Sequence, residues 1–141
     1  MTIDQAGLNF TKGFEGFSPM PYQDVAGVWT VGYGHKILPH QDYSMGITMM
    51  QGETLLYDDM EPVEEKILQL APVGVNQRQF NALCDFGFNL GIGALEQMLA
   101  HGWVEIPEQM LRWNKAHVNG ELVAVPGLTR RRQTEVALFK S

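Results

Sequence analysis

The sequence is short of several features, and each shortage excludes a class of protein. It has a single cysteine, Cys84, so no disulfide can form within the chain and the core alone must stabilise the fold. No apolar run approaches the ~20 residues that cross a bilayer, and the N-terminus lacks the basic and then apolar order of an export signal. At 141 residues, we expect one globular domain without a membrane anchor or signal peptide.

Positive charge is also scarce. Ten lysines and arginines stand against sixteen acidic residues, which gives a formal net charge of -6. Most nucleic-acid affinity comes from cations that contact phosphates, so this balance argues against a general nucleic-acid-binding protein. The only basic cluster is Arg130, Arg131 and Arg132. It is either a patch for an anionic ligand or the solvated face of a terminal helix.

Motifs for metal ligands and for nucleophiles are missing too. The four histidines are widely spaced, and no His-x-x-x-His or Cys-x-x-Cys pair occurs, so we expect no metal site. Ser18 and Ser44 lack the glycine framing of a nucleophile elbow. Cys84 has no neighbour in the sequence that would lower its pKa. Nucleophilic catalysis by serine or cysteine is therefore not indicated.

Helical periodicity covers most of the chain. The first helix would be capped by Thr2 and would end before Gly16, since glycine readily takes the left-handed conformation of many helix ends. The second has a capping box at Thr48 and Gln51, and Pro62 is a place where it could divide. The spacing of apolar residues predicts helices at about 3–14, 49–70, 76–90, 94–101, 107–117 and 126–140.

Two of these helices differ in their expected burial. The third, capped by Asn76, has apolar residues that leave little polar surface and is predicted to be the central core helix. Cys84 would be a small buried residue within it. The second helix carries a run of acids that is predicted to form its solvated face: Asp58, Asp59, Glu61, Glu64 and Glu65.

The stretch from Ser18 to His35 has no helical period. Pro19 and Pro21 interrupt any helix, and strand-forming residues surround the turn residue Gly27. We predict a hairpin or a three-stranded sheet here. The order of elements then indicates an α+β fold in one domain, 1–141, mostly helical, with a small β lobe at about 16–47. A helical lobe at about 48–141 would pack with the first helix around a cleft.

Two carboxylates in this region have different surroundings. Glu15 ends the first helix, where the negative end of the helix and the flanking Phe14 and Phe17 favour the neutral acid. Asp24 lies among turn residues and would stay ionised. An acid facing a carboxylate is the arrangement that glycoside hydrolysis requires, and the hydroxyl of Thr30 could orient a water. Taken alone, Glu15 would instead be an ordinary solvated residue at a helix end.

Several motifs, in order, resemble those of the phage-type lysozymes, glycoside hydrolase family 24. The first is Glu15, eight residues, Asp24, five residues and Thr30, followed by VGYGH at 31–35. The similarity continues in QFNAL at 79–83, FNLG at 88–91, RWN at 112–114, and GL at 127–128 with the following arginines and Glu135. These motifs extend over nearly the whole chain, so the resemblance implies a lysozyme-like fold.

The resemblance also implies an activity. Members of this family cleave the β-1,4 bond between N-acetylmuramic acid and N-acetylglucosamine in peptidoglycan, and inversion is the expected outcome. By motif position, Glu15 would be the general acid. Asp24 and Thr30 would hold the attacking water.

Supporting residues follow from the same resemblance. His35 would support the catalytic strand from behind, and Phe88 and Asn89 would assist in substrate binding. An arginine of the last helix would approach the catalytic glutamate, and Arg131 is preferred over its two arginine neighbours. Judged from the residues alone, His35 is better explained as a buried histidine that is hydrogen-bonded to backbone or to a carboxylate.

The partners implied are peptidoglycan glycan strands, met by a monomer that uses no cofactor, nucleic acid or stable membrane anchor. Such a protein would be made in the host cytoplasm and act on the cell wall, with a holin as the candidate partner for its release. Two other interpretations stay open. One is a glycan-binding domain that keeps the fold without the chemistry, and the other is a chitin-directed glycosidase that uses the same carboxylates.

Overall fold

Six α-helices and two small antiparallel sheets make up the secondary structure. The computed structural model describes all 141 residues, Met1–Ser141, and none of its helices is long and apolar enough to cross a bilayer. In chain order the elements are α1 Gln5–Glu15, β1 Ser18–Gln23, β2 Trp29–Gly32, β3 His35–Lys36, α2 Met49–Leu70, α3 Gln77–Leu90, α4 Ile92–Leu99, a 3-10 helix Trp103–Glu105, α5 Ile106–Leu111, β4 Lys115–Val118, β5 Glu121–Ala124 and α6 Pro126–Lys140. The predicted α+β fold is confirmed.

The contacts of the chain divide it into two compact units. One, here called the sheet unit, is Leu8–Glu61. The other, here called the helical unit, combines Met1–Gly7 with Pro62–Ser141. The division falls inside α2, which runs without interruption although Pro62 lies within it.

The first helix begins two residues later than the capping signal predicted. Asp4, and not Thr2, provides the cap, because its Oδ1 accepts the amide of Gly7 at 2.9 Å. At the other end the prediction is confirmed. Gly16 has a φ of +68° and donates its amide to the carbonyl of Lys12 at 3.0 Å, so Glu15 is the last helical residue.

The predicted three-stranded sheet lies in the sheet unit, with its strands in the order β1-β2-β3. Phe17, just before β1, packs its ring against Tyr33, with 5.1 Å between ring centroids. Gly52 of α2 lies against the ring of Phe17, and a Cβ placed on Gly52 would come within 2.8 Å of that ring. This close approach, which only glycine permits, fixes the segment after Glu15 against α2.

The third helix is the centre of the helical unit, as the sequence predicts. Asn76 accepts the amide of Gln79 at 2.9 Å and Gln79 accepts the amide of Asn76 at 3.0 Å, which is the predicted capping box. Residues 80–87 are all buried, and α3 packs against α4 and α6. Cys84 is fully buried, and this burial raises the pKa of its thiol.

A second sheet replaces part of a predicted helix. The sequence predicted helix through 107–117, but α5 ends at Leu111 and residues 115–124 form the antiparallel pair β4-β5. Asn119 and Gly120 connect the strands with φ of +52° and +82°. An Asn-Gly pair favours this type of two-residue hairpin turn, so the chain follows its turn chemistry rather than its weak helical period.

The acidic face of α2 is only partly solvated, which corrects the prediction. Asp58, Glu61 and Glu65 are exposed as expected. Glu64 is buried and accepts the amide of Ile3 at 2.8 Å. Asp59 is half-buried and pairs with a histidine described below. Charge at helical spacing therefore did not guarantee solvation in this helix.

Candidate active site

Glu15 occupies the junction between α1 and β1 and is half-buried. The ring of Phe14, its neighbour in the sequence, packs on Phe10 with 5.4 Å between centroids. With Phe17 packed as described, apolar rings lie on both sides of Glu15 along the chain. The two aromatic neighbours expected from the sequence are therefore held in place by ring contacts.

Asp24 is held by a tight turn between β1 and β2. Its Oδ1 accepts two backbone amides, those of Ala26 and Val28, both at 2.9 Å. The backbone of Asp24 also accepts the amide of Gly27 at 2.9 Å. Both side-chain bonds fall on one oxygen, so the carboxylate is fixed in orientation and Oδ2 is the oxygen left to accept from a ligand.

Thr30 follows on β2 and is 3% exposed. Its hydroxyl donates to the carbonyl of Val28 at 2.9 Å. A hydroxyl has one hydrogen and two lone pairs. Because that hydrogen is committed to Val28, Thr30 can act only as an acceptor toward any further group.

Tyr22 is paired with one predicted site residue and is influenced by the charges of two others. It is the cross-strand partner of Thr30. Burial and the negative charges of Glu15 and Asp24 raise the pKa of its phenol. Tyr22 was not among the predicted site residues, although the signal was its position in β1, two residues before Asp24.

His35 lies on β3 and is 6% exposed. Its Nδ1 lies 2.8 Å from the Oδ2 of Asp59, and its Nε2 lies 2.9 Å from the Oε1 of Gln41. Gln41 Oε1 also accepts the amide of Leu38, so it faces His35 as an acceptor. Both ring nitrogens therefore act as donors, and the hydrogen bond to Asp59 is the main cause that raises the pKa of His35.

A buried ionic cluster in the helical unit takes up two of the three arginines of the basic run. Arg131 donates through Nε and Nη2 to the two carboxylate oxygens of Asp85, both at 2.9 Å. Arg132 donates to the two oxygens of Glu135 at 2.7 and 2.6 Å. All four residues are buried. We call Asp85, Arg131, Arg132 and Glu135 the ionic cluster.

The cluster corrects the predictions made for the arginine run. Only Arg130 is exposed, so the run is neither a patch for a polyanion nor a solvated face. Burial raises the pKa of Glu135, its hydrogen bond to Asp85 acts in the same direction, and Arg132 opposes both. Asp85 was missed in the sequence. The signal available was a carboxylate among the apolar residues of a helix predicted to be buried, because a buried carboxylate requires a partner.

Of the remaining predicted residues, Asn89 contacts this cluster. Asn89 accepts a hydrogen bond from Arg132 Nη2 at 2.8 Å, and Arg132 Nη1 reaches the carbonyl of Trp113 at 3.3 Å. Phe88 is half-buried at the end of α3. Asn89 is thus oriented by the same guanidinium that binds Glu135. No group of three or more His, Cys, Asp or Glu side chains is placed to hold a metal ion.

Chemically, the sheet unit supplies a carboxyl group at a helix end, a carboxylate with one oxygen available and a hydroxyl that can only accept. One acid plus two acceptors suits acid-assisted attack by water, since the acceptors can take both hydrogens of the water.

Comparison with known proteins identifies the family of the chain. A family profile described as phage lysozyme matches residues 12–135. The endolysin of Acyrthosiphon pisum secondary endosymbiont phage 1 is 35% identical over 149 residues, covering 100% of this chain and 99% of that endolysin. The chain also matches the endolysins of Bacillus phages B103 and PZA, of which it spans 54% and 56%.

Solved structures share the fold. The muramidase domain of SpmX from Asticaccaulis excentricus superposes with a TM-score of 0.87 at 32% identity, covering 99% of this chain and 98% of that domain. The endolysin of Escherichia coli O157:H7 phage FAHEc1 superposes with a TM-score of 0.85 at 31% identity, covering 99% and 93%. With the profile match over most of its length, the chain belongs to the phage lysozyme family, and its expected lysozyme-like fold is confirmed.

Proposed function

We propose that this protein is a muramidase that hydrolyses the β-1,4 bond between N-acetylmuramic acid and N-acetylglucosamine in peptidoglycan. Membership of the phage lysozyme family supports the coarser statement that the chain is a lysozyme-type hydrolase. The finer assignment of bond and residues rests on one observation. The Thr30 hydroxyl and Asp24 Oδ1 are committed to backbone groups, which leaves Asp24 Oδ2 and the Thr30 oxygen as acceptors.

In the proposed reaction, Glu15 donates a proton to the departing glycosidic oxygen. Asp24 Oδ2 and Thr30 Oγ1 each accept a hydrogen from the attacking water, which directs an oxygen lone pair at the anomeric carbon. Asp24 then takes up the proton that the water loses. Attack by water from the face opposite the leaving group inverts the anomeric centre, so we expect an inverting enzyme.

Three further residues have proposed supporting roles. His35 would hold β3 in place through its bond to Asp59. Asn89, oriented by Arg132, and the half-buried Phe88 would contact the glycan. Arg131 stays the preferred candidate for the arginine that supports the catalytic glutamate.

The place of action is part of the proposal. We propose that the chain is made in the host cytoplasm and acts as a monomer on the cell wall, without a cofactor. Lysis of host cells that express the chain with and without a holin would test whether a holin provides the release.

The test of the proposed reaction is clearing of a cell-wall suspension by the wild type and by Glu15→Gln. The amide cannot donate the proton, so we expect clearing to fall by at least about a hundredfold, with an unchanged unfolding midpoint. The sugar found at the new reducing end identifies the bond, because cleavage of the proposed bond leaves N-acetylmuramic acid there, and proton NMR of the first product identifies its anomer. Equal clearing by the two proteins would rule out the proposed role of Glu15, and binding to peptidoglycan without reducing ends would indicate a glycan-binding domain.

A further inference from the structure

A row of three side chains crosses one face of the three-stranded sheet. Tyr22 of β1 is the register partner of Thr30 of β2, and Thr30 is the register partner of Lys36 of β3. Partners in antiparallel pairs project from the same face, with Cβ atoms about 5 Å apart. Lys36 is therefore a direct neighbour of the threonine that is proposed to hold the catalytic water.

Burial of the adjacent pair supports this placement of Lys36. Val31 and His35 are the next register partners in the same two strands, and they are 0% and 6% exposed. Since successive residues in a strand point to opposite faces, Lys36 projects from the face opposite Val31 and His35, which is the face that Tyr22 and Thr30 share. Lys36 is exposed and Tyr22 is 39% exposed, so this face is open on both sides of Thr30, which is 3% exposed.

Lys36 has no ionic partner in the protein. The other lysine of the sheet unit, Lys12, is paired with Glu53, whereas none of the ion pairs of the chain includes Lys36. Glu15 and Asp24 are in the same unit, and the whole chain carries a net charge of -6. An anionic substrate would be repelled by this field unless a local cation offset it.

We propose that Lys36 is a specificity residue that binds a carboxylate carried by the sugar unit next to Thr30. The proposal rests on the proposed glycosidase function and narrows its substrate. The ligand class is an N-acetylhexosamine that bears a carboxylate, either on a lactyl ether or on a peptide attached to it. A chitin chain has no carboxylate, so Lys36 would favour muramyl glycans over chitin at this position.

Binding is measured first, in a Glu15→Gln background so that turnover does not intervene. The probes are peptide-bearing glycan strands, strands stripped of peptide to expose the lactyl carboxylate, and chitooligosaccharides of equal length. We expect Lys36→Met to weaken binding of a carboxylate-bearing probe roughly fivefold at low salt and less at high salt. Lys36→Arg should keep the affinity, and chitooligosaccharide binding should not change. The probe that loses affinity identifies the source of the carboxylate.

Lys115→Met is the matched control, because Lys115 is an exposed lysine on β4 of the helical unit and its loss changes the net charge equally. Equal effects of Lys36→Met and Lys115→Met, an equal loss for chitooligosaccharides, or no binding by the Glu15→Gln protein would overturn the proposal. Cleavage by the parent enzyme is scored separately. If it cleaves glycans with a KM that Lys36→Met does not change, the specificity role is wrong and the glycosidase stands. Lysine-dependent binding without any cleavage would refute the glycosidase alone.

Discussion

The Asp24 turn and the ionic cluster both fix carboxylates, but they do so in opposite ways. Asp24 is held by amides two and four residues away, and its second oxygen stays available. Asp85 is held by an arginine 46 residues away, and both of its oxygens are used inside the core. A carboxylate held by its own turn is available for chemistry, whereas one held by a distant cation is used for packing. This comparison predicts that mutations will separate activity from stability.

The largest effect is expected at the turn, on activity. In Asp24→Asn, the amide oxygen can still accept from Ala26 and Val28, but the amide nitrogen cannot accept from the water. We expect the rate of peptidoglycan hydrolysis to fall about 10²- to 10⁴-fold, with little change in the urea midpoint. Asp24→Ala, which also loses the turn acceptor, should lower both. If Asp24→Asn hydrolysed peptidoglycan at the wild-type rate, the proposed difference between a catalytic carboxylate in the turn and a structural one in the ionic cluster would be wrong.

Stability should respond to the ionic cluster. In Glu135→Met, Arg132 stays charged and buried with only Asn89 and the Trp113 carbonyl as described acceptors. Because arginine does not deprotonate in proteins, we expect a loss of about 3–5 kcal/mol in the free energy of unfolding by urea. The double variant with Arg132→Met should recover much of that loss. A double variant as unstable as the sum of its parts would show that the two residues act independently.

A smaller, pH-dependent effect is expected at His35. Its pKa is raised above the ordinary 6.5, mainly by Asp59, so its stabilising contribution is complete below about pH 6.5 and is lost as the pH rises through the raised value. Asp59→Asn should therefore destabilise by about 1–2 kcal/mol near pH 5.5 and by less at pH 9. Thermal melts of the two proteins over this range measure the difference. A difference that grows with pH would contradict the assignment.

The smallest effect is expected in the β4-β5 turn. Gly120 has a φ of +82°, which a residue with a Cβ adopts with strain. Gly120→Ala should cost about 1 kcal/mol, with faster amide exchange confined to 115–124. Asn119→Gly, which suits its φ of +52°, serves as the control and should change stability by only a few tenths of a kcal/mol.

Local chemistry explains what could be predicted from the sequence. The Glu15 helix end, the Asn76 capping box and the three-stranded sheet depend on residues close together in the chain, so their patterns are visible in it. The Asn119-Gly120 turn was equally local, and its signal was overlooked in favour of a weak helical period. The family motifs identified the fold and the lysozyme class, while the roles of Asp24 and Thr30 stay predictions.

Contacts between distant segments could not be predicted in the same way. Asp85 with Arg131 and Ile3 with Glu64 join residues 46 and 61 positions apart, and no spacing rule links them. Because these residues are buried, two predictions were wrong. One was that the arginine run is exposed, and the other was that the acidic face of α2 is fully solvated. From the sequence alone, charged residues in a terminal helix are predicted to be solvent-exposed. Their burial can be predicted only when the core residues that pair with them are known.

The single cysteine gives the protein a built-in reporter. Cys84 is fully buried in the central helix, and its thiol has a raised pKa there, so the reactive thiolate forms readily only when α3 is opened to water. Its rate of modification by a thiol reagent measures how often the core opens in the native protein, without any engineered label. As the single cysteine of the chain, Cys84 thereby makes transient opening of the core measurable.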